Sequence, residues 1–152
     1  MGDRFASIYL EAAKNAQQNQ PRLEQFDSFG KRIDKLHLSE GWKSLAKYSA
    51  EDGIVALAYE EDRFNLGEYQ RFGQLVALYM YHASSGLYGC PLAMTDGAAF
   101  TLRNTKDAEL KSAFSRLTSR ENMWTSGQWM TEKKGGSDVS NTETLAIKDE
   151  SG

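Results

Sequence analysis

The chain has 152 residues, enough for one domain with a core of its own. Its hydrophobic fraction of 40%, charged fraction of 26% and net charge of −3 describe a globular protein without the long basic run of a nucleic-acid tail. One cysteine, Cys90, excludes an internal disulfide and a cysteine-based zinc cluster, and no run of about 18 apolar residues marks a membrane-spanning helix.

The start, Met1-Gly2-Asp3-Arg4-Phe5-Ala6, shows no apolar signal segment, and Ala6 stands where myristoylation requires Ser or Thr. These features point to a reducing intracellular compartment, mitochondrial or cytoplasmic. Phe5, Ile8, Tyr9, Ala12, Ala13 and Ala16 fall at helical spacing and predict an amphipathic helix from about Asp3 to Gln18, stopped by Pro21. From Arg22 to Leu38 the pattern becomes extended around an Asp27-Ser28-Phe29-Gly30 turn. A small hairpin that covers the helical core is expected there. Ser39 can cap a helix carrying Trp42, Leu45, Ala46, Ser49 and Ala50 and ending at Gly53. Glu60-Glu61-Asp62 reads as a solvated acidic turn.

Gly67 to about Ser84 is the clearest helix. Tyr69, Phe72, Leu75, Val76, Leu78, Tyr79 and His82 cover much of its circumference, which predicts a central place in a bundle with its aromatics in the core. His82 reads as a packing histidine, and it lacks metal-ligand spacing to His37, so no metal is expected. Gly86 and Gly89 interrupt the chain, and Pro91 can occupy the first position of a helix through Leu102. Gly97 within that helix suggests a close neighbour. Cys90 reads as a small buried apolar residue rather than a nucleophile. Thr105 can cap a last helix bearing Leu110, Ala113, Phe114 and Leu117.

After Arg120 the character changes. Trp124 to Thr131 and Thr142 to Lys148 read as two strands, which make only a marginal sheet. The fold class expected is therefore mainly α: a helical bundle over 1–120, then the first two strands of an incomplete β-domain over 121–152. The pattern is the one expected of a fragment of a longer chain, or of one piece of a chain cut in two. Between the two strands lie two lysines, two glycines, a serine and an aspartate. Gly135 and Gly136 let the backbone turn sharply and lie close to a flat ligand. Successive N–H groups there, with the Thr131 and Ser137 hydroxyls, can bond a carbonyl-rich or phosphate-bearing partner. The same composition also suits an ordinary turn.

The run Gln128-Trp129-Met130-Thr131-Glu132-Lys133-Lys134-Gly135-Gly136-Ser137-Asp138 resembles the Thr-Glu-x-x-x-Gly-Ser-Asp signature of the flavin-dependent acyl-CoA dehydrogenases. Two earlier stretches, Pro21 to Asp34 and Cys90 to Ala98, resemble the AidB-like branch of that family, as does Lys133-Lys134 in place of the more usual proline-containing turn. The resemblance spans most of the chain and implies an N-terminal helical domain of the acyl-CoA dehydrogenase type.

It also implies non-covalent FAD, with Gln128, Trp129, Met130, Thr131, Glu132, Lys133, Lys134, Gly135, Gly136 and Ser137 as its contacts on this chain. The main chain around Met130 and the hydroxyl of Thr131 would meet the polar edge of the flavin ring. An acyl-CoA ligand is implied at Ser137 and, along the acyl chain, at Met94, Thr95 and Gly97, where Met supplies a pliable wall. The family's catalytic glutamate has no match here, so no catalytic residue is expected in this chain and no turnover from it alone. The full protein is expected to oxidise an acyl-CoA to the trans-2-enoyl-CoA as a homo-oligomer, a tetramer by resemblance, with the rest of its own polypeptide as a partner. The alternative on the same scaffold is an acyl-CoA-sequestering or DNA-protective flavoprotein, although nothing basic in this segment supports nucleic-acid binding.

Overall fold

The computed structural model describes residues 1–60 and 65–148. Its fold is mainly helical. A first helical run passes from α1 (Gly2–Arg4) through a π turn (Phe5–Tyr9) into α2 (Leu10–Gln18). The widened turn carries Phe5 and Tyr9, both buried, with ring centroids 5.0 Å apart. Pro21 has no N–H to continue the helix and turns the residue before it extended.

The alanine stripe of α2 does what its spacing predicts. Ala12, Ala13 and Ala16 are buried against α3 (Glu40–Glu51). The backbones lie so close that a Cβ on Gly41 would come within 2.3 Å of the Ala12 carbonyl oxygen. Asn15 locks the crossing, its Oδ1 accepting from the Gly41 N–H at 2.8 Å. Ser39 caps α3 by accepting from the Trp42 N–H at 3.2 Å. Gly53 reverses the chain after it with φ of +69°.

The core is aromatic and aliphatic. Tyr9, Tyr81, Leu45, Ile54 and Leu92 are its largest closed side chains. Tyr9 and Tyr81 meet edge to face at 5.3 Å. Each fully buried Leu or Ile contributes about 2 kcal/mol. The Tyr9 hydroxyl reaches the core's edge, donating to Asp52 Oδ2 at 2.8 Å, where Arg4 Nε also donates at 2.9 Å. Burial first, and then this carboxylate, push the Tyr9 phenol far above its ordinary range.

The hairpin forms as expected, with β1 (Arg22–Phe26) antiparallel to β2 (Arg32–His37) and Leu23 opposite Leu36. It does not cover the core. Leu23, Phe26, Ile33 and Leu36 are all exposed, so the alternation of these residues reports a projecting arm.

The helix over Gly67–His82 also differs from expectation. A 3₁₀ turn (Gly67–Tyr69) leads into α4 (Gln70–His82), which buries only the stripe Gln74, Ala77 and Tyr81. Tyr69, Phe72, Leu75, Val76 and Tyr79 are exposed. Helices pack on α4 from one side only, so its second apolar face has no partner among the described residues.

In the next helix, α5 (Gly89–Leu102), Pro91 is third rather than first. The first turn still needs no donor there. Cys90 is exposed, not buried, because α5 turns Leu92, Thr95 and Ala99 inward instead. The last helix, α6 (Ala108–Leu117), is capped by Asp107, which accepts from Leu110 N–H at 2.9 Å; Thr105 only accepts from the Asp107 N–H. Of the acidic turn, Glu60 is not simply solvated, since Arg120 grips it through two N–H groups at 2.9 and 2.5 Å. Glu61 and Asp62 lie outside the described residues.

The stretches Trp124–Thr131 and Thr142–Lys148 are not strands. Both lack a ladder partner, and only an isolated bridge between Glu132 and Gly135 forms between them. An extended chain needs a neighbour to become a strand.

Candidate functional site

Everything chemically distinctive converges where the 124–137 segment leaves the bundle and runs along α5. Arg120 fixes its root. The guanidinium bonds Glu60 and the Glu51 carbonyl, the latter at 2.8 Å, and it lies over Gly53, where a Cβ would come within 2.5 Å of it. Trp124 N–H then donates to the Arg116 carbonyl at 3.1 Å, and the Arg116 guanidinium sits 5.7 Å from the Trp124 ring centroid.

Two side chains of α5 catch the segment. Thr95 is fully buried; its hydroxyl donates to the Pro91 carbonyl at 2.7 Å and accepts the Ser126 N–H at 3.0 Å. Met94 Sδ accepts from the Gln128 N–H at 3.3 Å. The Cys90–Ala98 and Gln128–Asp138 motifs, 34 residues apart at this contact, are thus brought together. Thr95 faces the segment and not an open space. Gly97 opens to unfilled space: no atom lies within 4 Å of a Cβ built there, so no neighbour among the described residues demands glycine.

Behind Met94 and Thr95, Asp96 ties α5 to α4. Its carboxylate accepts from Arg71 at 2.8 and 2.6 Å, from the Tyr59 hydroxyl at 2.7 Å and from Gln74 Nε2 at 3.3 Å. Burial, then this carboxylate, push the Tyr59 phenol up to about 12. Sequence reading passed over Asp96. Its signal was an acidic residue inside an otherwise apolar helix, which needs a cation.

Beyond Gln128 the chain is open. Trp129 is 95% exposed, folding back over Gly127. Among the described residues, the N–H groups of Trp129, Met130, Thr131, Gly136 and Ser137 donate to no protein acceptor, nor do the Thr131 and Ser137 hydroxyls. Gly135 is fixed by the turn, since a Cβ would meet the Asp138 carbonyl oxygen at 2.6 Å. Glu132 is engaged inside the loop, accepting from Glu143 and Thr144. Lys134 pairs with Glu143, while Lys133 is exposed. The donor set of 129–131 with Ser137 fits a flat ligand edged with carbonyl and imine acceptors, and Gly136 keeps the backbone approach open.

A half-open apolar pocket of about 230 Å³ lies elsewhere, under α4 between Met1, Leu57, Gly73, Gln74, Ala77 and Met80. It shares no lining with α5 or the 124–137 segment. No group of three or more metal-ligating side chains occurs among the described residues, and no helix there is long and apolar enough to cross a membrane.

The adaptive response protein AidB N-terminal domain model matches residues 1–122. Acyl-CoA dehydrogenase family member 11 of Caenorhabditis elegans is 42% identical over 97% of this chain and 25% of its own length. AidB of Escherichia coli (strain K12) is 30% identical over 94% of this chain and 28% of its own. The crystal structure of Caenorhabditis elegans ACDH-11 in complex with C11-CoA superposes with a TM-score of 0.82 at 42% identity, over 91% of this chain and 24% of that one. A structure described as Bd2924 apo-form gives 0.81 at 44% identity, over 97% and 30%. The chain spans about a quarter of the length of the curated relatives it matches. With the family model covering residues 1–122, most of its length, the chain belongs to the adaptive response protein AidB N-terminal domain family, whose matched relatives here are named acyl-CoA dehydrogenases.

Proposed function

We propose that this chain supplies part of the flavin and acyl-CoA site of an FAD-dependent acyl-CoA dehydrogenase that converts an acyl-CoA thioester to the trans-2-enoyl-CoA. The observation that carries the reading is the docking of Ser126 and Gln128 on Thr95 and Met94, next to the uncommitted donors of residues 129–131 and 137. When bound, FAD supplies the two-electron acceptor of the oxidation.

The residues of this chain bind and orient. The main-chain N–H groups of Met130 and Thr131 and the Thr131 hydroxyl would hold the ring's polar edge, where donors stabilise negative charge as electrons arrive. Gln128 and Trp129 would flank the ring. Lys133, Lys134, Gly135 and Gly136 shape the turn toward the nucleotide side, and Ser137 would reach both cofactor and thioester ligand. Met94 and Gly97 would wall the acyl chain, with Thr95 acting one step removed by holding Ser126. No residue of this chain takes the α-proton. The relative crystallised with C11-CoA supports the ligand class. Assembly as a homo-oligomer belongs to the same reading.

The test is reconstitution of the full-length protein. It is expected to bind FAD, to lose its visible flavin band on addition of a saturated acyl-CoA and to release the 2-enoyl product. A protein that stays colourless after FAD addition overturns the proposal. A flavoprotein whose band survives a panel of acyl-CoAs favours the sequestering alternative.

A further inference from the structure

Glu132 sits within the run assigned to the cofactor, yet its carboxylate is turned to the far end of its own loop. Oε2 accepts from the Glu143 N–H at 2.8 Å. Oε1 accepts from the Thr144 N–H at 3.0 Å and the Thr144 hydroxyl at 2.5 Å. A carboxylate holding two main-chain donors and a hydroxyl makes the stronger, charge-assisted kind of hydrogen bond.

The rest of the loop is built around this closure. Glu132 and Gly135 exchange main-chain bonds of 2.9 and 3.2 Å, which makes the turn tight. Asp138 accepts from the Ser140 N–H at 3.0 Å and from Asn141 Nδ2 at 2.9 Å, starting a 3₁₀ turn at Val139–Asn141. Lys134 pairs with Glu143, the same residue whose N–H meets Glu132. The bonds therefore cross the loop twice, from Glu132 just before the Lys133–Ser137 turn and from Lys134 within it.

We infer that Glu132 is a positioning residue: it clamps Glu143 and Thr144 to the Thr131–Ser137 run and so sets the shape in which that run meets the cofactor and thioester ligand. This rests on the proposed function for what is positioned, but the clamp itself is a property of this chain. Without the carboxylate, the Lys134–Glu143 pair is the one remaining tie, among the described residues, between Glu143–Thr144 and the Thr131–Ser137 run, and an exposed ion pair contributes little. Thr144 lies outside the run assigned to the ligands, and this separates a clamp from a direct ligand.

The experiment compares Glu132→Gln, Glu132→Ala and Thr144→Val in the full-length protein, with far-UV circular dichroism to establish folding. Three readouts are taken. Tryptic cleavage after Lys133 and Lys134, followed by mass spectrometry, is expected to accelerate roughly tenfold in Glu132→Ala, less in Glu132→Gln and Thr144→Val, as the loop opens. Exchange of the Glu143 and Thr144 amides is expected to rise in parallel. FAD affinity by fluorescence titration is expected to fall in all three variants, with Glu132→Gln combined with Thr144→Val no worse than the larger single effect. Unchanged cleavage and exchange in the Glu132 variants overturn the clamp. Loss of FAD affinity in the Glu132 variants with Thr144→Val unchanged also overturns it, in favour of direct contact. A wild-type protein that binds no FAD defeats the proposed function, while the proteolysis and exchange results still decide the clamp.

Discussion

Replacing Thr95 by Val removes one hydroxyl and almost no volume, so its effect isolates the bond that seats the signature segment on α5. Thr95 is fully buried, and its Oγ lies 2.7 Å from the Pro91 carbonyl and 3.0 Å from the Ser126 N–H. Pro91's carbonyl lies inside α5 and keeps its helical donor. The loss therefore falls on the Ser126 N–H. A buried donor left unpaired costs about 1–3 kcal/mol, and Ser126 is half-buried, which places the loss near the lower end, at about 1 kcal/mol. That corresponds to roughly fivefold faster opening of the segment. Amide hydrogen exchange reads it directly: Ser126 and Gly127 are expected to exchange about fivefold faster in Thr95→Val, while amides of α2 and α3 keep their rates. Thr95→Ser retains the bond and keeps the Ser126 rate near wild type, though it opens a methyl-sized gap. If Thr95→Val leaves Ser126 exchange unchanged, the segment is not held by this contact and the geometry of the proposed site fails with it.

Asp96→Ala removes the carboxylate that joins Arg71, Tyr59 and Gln74, leaving Tyr59 the residue-96 carbonyl and Gln74 the Ile54 carbonyl; with Arg71 about half exposed the expected loss is on the order of 2 kcal/mol in denaturant unfolding, chiefly from loosened α4–α5 contact. Gly53→Ala must place a Cβ in the left-handed region at φ of +69° and within 2.5 Å of the Arg120 guanidinium, so a drop of about 5 °C in melting temperature is expected, with Arg120→Ala partly relieving the clash. The Glu132 carboxyl is held below its ordinary value of 4.5 by the Thr144 hydroxyl and then by the Glu143 and Thr144 N–H groups. Its contribution to loop closure is therefore complete above about pH 4.5 and lost as pH falls through the lower, folded value. Exchange of the Thr144 amide, corrected for its intrinsic pH dependence, should rise over that range in wild type and stay flat in Glu132→Gln, with the Lys134–Glu143 pair common to both.

Much of the fold was legible because it follows from local spacing. The Ala12, Ala13 and Ala16 stripe, the Ser39 cap and the Asp27–Gly30 turn each act over a few residues, and each forms. What local pattern does not carry is which apolar face finds a partner. Tyr69, Phe72 and Tyr79 read as core because they are apolar at helical spacing, yet α4 buries only Gln74, Ala77 and Tyr81, with Leu78 partly packed on the core. The hairpin misleads in the same way, its alternation present and its cover absent. Trp124–Thr131 and Thr142–Lys148 have strand-like sequences, but strand formation depends on a neighbouring chain segment that neither provides for the other.

At the site, the motif residues were legible from the family pattern, and the contact between Met94–Thr95 and Ser126–Gln128 was not. The Thr95 hydroxyl reaches Ser126 across 31 residues, a separation that no periodicity encodes. The partner of Asp96 was equally hidden, because its cation, Arg71, lies on another helix 25 residues away.

The central claim is that Gln128 to Ser137 holds the polar edge of a flavin, and equilibrium titration of the full-length apoprotein with FAD tests it most directly. Wild type is expected to bind stoichiometrically. Thr131→Val combined with Ser137→Ala, which removes two hydroxyls that bond nothing else among the described residues, is expected to bind at least tenfold more weakly while keeping its melting temperature without cofactor. Equal FAD affinity in wild type and the double variant would contradict the account.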